Sequence, residues 1–105
     1  MAEKSKKTIP TRQQILAILS ANDDLLKNQG VLRIGLFGSF ARNQGRLRSD
    51  LDFLVEFEHP TFDNFMNLAF SLEKLFGRHV DLVTPDSLSS HVRPYIENEV
   101  VWNEA

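Results

Sequence analysis

The sequence predicts a small α/β domain of the α+β kind, in which helices pack on one face of a mixed sheet. Three observations predict it. DLDFLVEF alternates so that Leu51, Phe53, Val55 and Phe57 share one face while Asp50, Asp52 and Glu56 share the other. Pro60 to Phe76 repeats apolar residues at helical spacing. HVDLVT then supplies another strand, so a strand, helix, strand unit lies at the heart of the chain.

The elements follow in order. Residues 1–10 read as a flexible tail, and 1–105 as a single domain. Thr11 with Gln14 resembles a capping box, and Ile15, Ile18, Leu19, Leu25 and Leu26 recur at helical spacing until Gly30, which predicts one helix from Thr11 to Asn28. Val31 to Phe37 is short, apolar and bounded by glycines, so it reads as a buried strand. Phe40 to Asn43 is expected to form a short helix. In the long helix, Phe62, Phe65, Met66, Ala69, Phe70, Leu72 and Phe76 form a stripe whose expected place is the core, and Gly77 ends it. From Asp86 a helical stretch carries Leu88, Val92, Tyr95 and Ile96, with Pro94 breaking or kinking it, and EVVW predicts a short edge strand.

Composition narrows the function. With 42% hydrophobic and 25% charged residues in 105, the chain is ordinary for one globular core. It has no cysteine, which excludes disulfides, thiolate nucleophiles and cysteine zinc sites. Its basic N-terminus lacks the apolar run of a signal peptide, and no stretch approaches the roughly 20 apolar residues of a membrane span. The expected location is cytoplasmic, without a membrane partner. A net charge of −2 gives no reason to expect a long nucleic-acid ligand. Charge is unevenly spread, however: Val31 to Arg48 holds Arg33, Arg42, Arg46 and Arg48 with no acid, and runs straight into Asp50 and Asp52. Solvated loop charges are one reading, and cations for an anion beside carboxylates for a metal are the other.

The chemistry rests on Gly38-Ser39, a ten-residue spacer, and Asp50-Leu51-Asp52. Alone, a strand-ending Gly-Ser is only a turn. With a helix behind it, the glycine lets a ligand approach the backbone, free amides face a phosphate, and Ser39 adds a hydroxyl donor. Asp50 and Asp52 project from one strand face about 7 Å apart at the backbone, which suits magnesium held by carboxylates and substrate phosphates; a solvent-exposed strand face is the plain alternative. Asp81 is a third candidate, pointing away from core-facing Val80 and Leu82. A strand, helix, strand unit normally makes a parallel crossover, which sets the starts of the Asp50 and Asp81 strands at the same end of the sheet. Gly38 ends its own strand, so that strand must run antiparallel to the next for all the groups to meet.

GLFGSFARNQGRLRSDLDFLVEF, with HVDLVTPDSL downstream, resembles the minimal nucleotidyltransferase domains of the polymerase-beta superfamily, whose signature is Gly-Ser, a spacer, Asp-x-Asp and a third acid. The similarity extends to RPYIENEVVW and looks like the antitoxin half of bacterial pairs whose partner is an all-helical HEPN ribonuclease toxin. It implies the nucleotidyltransferase fold and the transfer of AMP from ATP to a toxin tyrosine. Under that resemblance Gly38 and Ser39 hold the triphosphate. Asp50 and Asp52 bridge two magnesium ions, and Asp81 binds one and helps deprotonate the attacking hydroxyl. Two ions about 4 Å apart serve an in-line displacement. Arg42 is assigned to the phosphates, with an exposed helix arginine as the other reading, and NQGRLR departs from the acidic or small residues often found after the Ala-Arg pair. Two other functions compete: a module that neutralises the toxin by contact alone, and transfer to a small molecule.

His59, His79 and His91 show no metal spacing and read as surface or packing residues. His79 is read as facing away from Asp81, and Tyr95 and Trp102 as packing or interface residues.

Overall fold

The computed structural model describes residues 8–103. The expected tail therefore falls largely on residues 1–7, outside the described residues. The elements are α1 (Arg12–Ala21), α2 (Asp23–Asn28), β1 (Val31–Phe37), β2 (Leu51–Phe57), α3 (Phe62–Phe76), β3 (Val80–Val83), a 3-10 turn at Pro85–Ser87, α4 (Arg93–Glu99) and β4 (Val101–Trp102). The strands form one mixed sheet in the order β3-β2-β1-β4. β1 runs antiparallel to β2 and β4, while β2 and β3, joined through α3, run parallel. Both directions agree with the expectation from the crossover rule and from Gly38.

Period two decides which strand residues enter the core. Leu51, Phe53 and Val55 of β2, Ile34 and Leu36 of β1, and Val80 and Leu82 of β3 are buried on one face. They cluster there with Ile15 and Leu19 of α1, Leu26 of α2, and Leu68 and Leu72 of α3. The other face is not bare. Leu54 is also fully buried, and beside it Gly35 packs so closely under Val100 and Trp102 that a Cβ there would lie 3.0 Å from the indole. Among the described residues no helix is long and apolar enough to cross a membrane.

In its helices and their packing the structure departs from the sequence expectations in four places. The helix expected from Thr11 to Asn28 is two helices. Thr11 and Gln14 do form the capping box, but Asn22 leaves helical geometry (φ −113, ψ 26). Its side-chain amide donates to the Ile18 carbonyl at 2.8 Å, so a polar side chain competes with the backbone ladder. The short helix expected at Phe40 to Asn43 is a series of turns. Gln44 N–H donates to the Ser39 carbonyl at 2.8 Å and Asn43 takes a positive φ of 56, which closes the turn before a helix can propagate. Pro94 does not kink a helix from Asp86; it sits in the first turn of α4, where its missing N–H is harmless. The aromatic stripe of α3 is only partly core, since Phe62 and Phe70 are 76% and 62% exposed and Leu68 takes the central place.

Gly77 caps α3 in the left-handed region (φ 64), and nothing would stand within 4 Å of an added Cβ. Gly77→Ala should therefore cost conformational energy alone, about 1–2 kcal/mol. Denaturant midpoints at unchanged m-value check this.

Candidate functional site

Sheet register builds the site. Phe37 pairs with Asp52 across β1 and β2, and Asp52 pairs with Asp81 across β2 and β3. Asp52 and Asp81 thus stand side by side on the sheet face opposite the main core, on strands about 4.8 Å apart. Asp50 lies one residue before β2. Antiparallel pairing brings the end of β1 to the start of β2, so Gly38 arrives directly against Asp52. Gly38 has φ 78, and a Cβ there would lie 3.0 Å from the Asp52 carboxyl carbon and closer still to one of its oxygens. Glycine is required there for conformation and for space.

The candidate residues are not all engaged alike. Asp50 is half-exposed, and its carboxylate meets His79 Nδ1 at 3.3 Å. The Gly38 N–H donates to Glu99 Oε2 at 2.8 Å. Arg42 donates to the other oxygen of Glu99 and, at 3.2 Å, to Gln44 Oε1. Ser39 sits in the turn between them, its carbonyl accepting from Arg42 and Gln44 N–H. Arg33 lies elsewhere, stacked 3.6 Å over Trp102 and paired with Glu56.

His79 corrects the sequence reading, which turns it away from Asp81. The two are separated by Val80, and residues two apart in a strand share a face. His79 accordingly reaches the acidic cluster. Glu99 and Arg78 carry no sequence signal at all. Arg78 Nη1 donates to the carbonyls of Arg46, Leu47 and Ser49 at 3.3, 3.0 and 3.1 Å, pinning the loop that delivers Asp50. Glu99 lies 61 residues from Gly38 in the chain, and only the fold joins them.

Partial burial and the neighbouring carboxylates of Asp81, Asp50 and Glu99 push the Asp52 carboxyl up to about 6, against a weaker opposing pull from Arg42. Such a cluster of like charge calls for a cation. Among the described residues no three acidic or imidazole side chains stand close enough to cage an ion by themselves. Magnesium does not need such a cage, because it takes one or two carboxylates and completes its shell with water and phosphate oxygens. The oxygen-only donors Asp52 and Asp81 fit that demand. The cleft bounded by Asp23, Lys27, Leu32 and Asn103 contains none of these groups.

The raised pKa gives a signed expectation for the metal-free protein. Between about 4 and about 6 the folded chain holds a proton on Asp52 that the unfolded chain has released, so this group's contribution to stability falls as pH rises through that window. Above it the penalty is fully present. In a chelator, Asp52→Asn should melt higher than the parent at pH 7, and the difference should shrink toward zero as pH falls to 4. A difference independent of pH would contradict this account.

A family model described as nucleotidyltransferase domain matches residues 17–103. The protein adenylyltransferase MntA of Thermococcus cleftensis is 40% identical over 94 residues, covering 88% of this chain and 95% of that protein. A solved structure of a candidate minimal nucleotidyltransferase has a TM-score of 0.77 at 33% identity, covering 90% of this chain and 97% of the other. A structure of tri-AMPylated Shewanella oneidensis HEPN toxin in complex with MNT antitoxin has a TM-score of 0.63 at 20% identity, covering 87% and 72%. At that identity the likeness is one of fold. Together with the mixed sheet and the family match across most of the chain, these similarities establish that the chain belongs to the nucleotidyltransferase domain family.

Proposed function

We propose that the chain transfers AMP from ATP to a tyrosine hydroxyl of a cognate HEPN toxin and thereby acts as its antitoxin. The observation that carries this reading is the in-register pair Asp52 and Asp81, with Gly38 seated against Asp52. The name of the Thermococcus relative supports the reaction. The modified toxin in the Shewanella complex supports the acceptor class.

Gly38 N–H and the Ser39 hydroxyl are the donors for phosphate oxygens, and Arg42 supplies the compensating positive charge. Asp52 and Asp81 would hold magnesium, and Asp50, paired with His79 in the free chain, would join them only on turning from that imidazole. When bound, the metal supplies the positive charge that polarises the α-phosphorus and steadies the leaving oxygen. Asp81, the more open of the paired acids, receives the proton of the acceptor hydroxyl. A bond forms from that hydroxyl oxygen to the α-phosphorus, the bond to the bridging oxygen breaks, and pyrophosphate leaves.

The test incubates the protein with labelled ATP, magnesium and its cognate toxin, and locates label by mass spectrometry. AMP on a toxin tyrosine is the expected result. Neutralisation without label would favour the binding-module reading, and label only on a small-molecule hydroxyl would favour the third function.

A further inference from the structure

Two of the groups assigned above to a triphosphate, the Gly38 N–H and Arg42, already have an anion. Glu99 closes α4, and its carboxylate accepts from the Gly38 N–H through Oε2 at 2.8 Å and from Arg42 Nη1 through Oε1. One planar anion thus bridges a backbone amide and a guanidinium, the pairing with which proteins hold phosphate oxygens. The Gly38 amide has a single hydrogen. It cannot serve Glu99 and a phosphate oxygen together at full strength, and the two anions would repel each other. The side chain is 29% exposed, so the contact is partly shielded from water and salt.

The surrounding structure allows Glu99 to leave. α4 has no buried residue, whereas the segment after it is fixed by pairing of Val101 with Leu36 and of Trp102 with Gly35. Rotation of the Glu99 side chain, with a small movement of α4, would free both donors without unzipping β4. Arg42 would keep its bond to Gln44 and stay near the site.

We propose that Glu99 is an internal phosphate surrogate that occupies the Gly38 and Arg42 donors until a triphosphate displaces it. This rests on the triphosphate reading given above. Its consequence is quantitative, because apparent affinity falls by the fraction of molecules in which the donors are free. Opening the site permanently should restore the intrinsic affinity.

The experiment titrates the full chain calorimetrically, in magnesium, with ATP, inorganic tripolyphosphate and adenosine. Glu99→Ala should bind ATP and tripolyphosphate about tenfold more tightly than the parent, with Glu99→Gln between them. Adenosine should show no gain, and the gain should shrink when Arg42→Ala is added. An equal gain for ATP and for the bare polyphosphate is a result that a merely structural Glu99 would not give. If the parent binds ATP but neither Glu99 variant binds more tightly, the surrogate is overturned and the triphosphate reading stands. If the parent binds neither polyphosphate, both fall. Should Glu99→Ala lose its helical circular dichroism, Glu99→Gln, which keeps size and shape, decides the outcome.

Discussion

Converting Asp52 and Asp81 together to asparagine should abolish nucleotidyl transfer while leaving the metal-free fold as stable as the parent or more so. The two effects have one cause. Asp52 already carries a carboxyl raised to about 6 by partial burial and by the acids around it, so the cluster costs stability until a cation arrives. Asparagine keeps the shape and removes the charge. Transfer should drop by at least about a thousandfold, since single groups that stabilise transition-state charge are each worth about 10²–10³. Magnesium with ATP at one hundred times its Kd should stabilise the parent by about 2.7 kcal/mol, and the double mutant by nothing measurable. For a domain of this size that is a difference of roughly 10 °C or more in Tm. Toxin neutralisation decides what the loss means. Protection lost while the complex still forms supports catalysis as the antitoxin activity; protection retained in full shows that contact suffices and overturns the enzymatic reading.

Much of this site is legible in sequence for a physical reason. Strand faces follow period two, so DLDFLVEF by itself declares which side of β2 is acidic. The parallel crossover rule then places Asp81 at the same end, and its pairing with Asp52 follows from that rule plus register. The same period, wrongly counted, sets His79 on the opposite face, although its separation from Asp81 is two and not one.

What stays hidden depends on competition or on distance. The helical reading of Phe40 to Asn43 overlooks that asparagine is among the few residues that adopt a positive φ and close a turn. Asn22 splits α1 from α2 through a side-chain bond that a count of apolar positions ignores. Phe62 and Phe70 fit a helical stripe, yet both stay largely exposed, because period alone does not say which part of a stripe the sheet covers. Glu99 and Arg78 act across long loops of chain, and their contacts exist only once the sheet has formed. The family signature therefore marks the acids of the candidate site and leaves unmarked the residues that set their geometry.

Gly38 shows how tightly the two are coupled, and Gly38→Ala should damage both stability and transfer. A left-handed conformation costs an alanine about 1–2 kcal/mol, which Gly77→Ala measures in open space. Gly38 shares that conformation (φ 78) but faces the Asp52 carboxyl, with the Asp52 Cβ itself 3.2 Å from an added methyl. Forcing an atom into a packed place adds about 1–3 kcal/mol, so Gly38→Ala should cost clearly more than Gly77→Ala. Removing the obstacle tests the cause. In an Asp52→Ala background the carboxyl is gone, and the cost of Gly38→Ala should fall toward that of Gly77→Ala, with only the Cβ contact left. Equal costs for Gly38→Ala in both backgrounds would show that Asp52 is not what the glycine accommodates. In the otherwise unchanged chain the new methyl must push the Asp52 carboxylate aside. A displacement near 1 Å at a reacting group costs about a hundredfold, so under the role proposed for Asp52 transfer by Gly38→Ala should fall at least that far at temperatures where the protein remains folded. Transfer at the parent rate by a folded Gly38→Ala would separate Gly38 from the chemistry and leave it a turn residue.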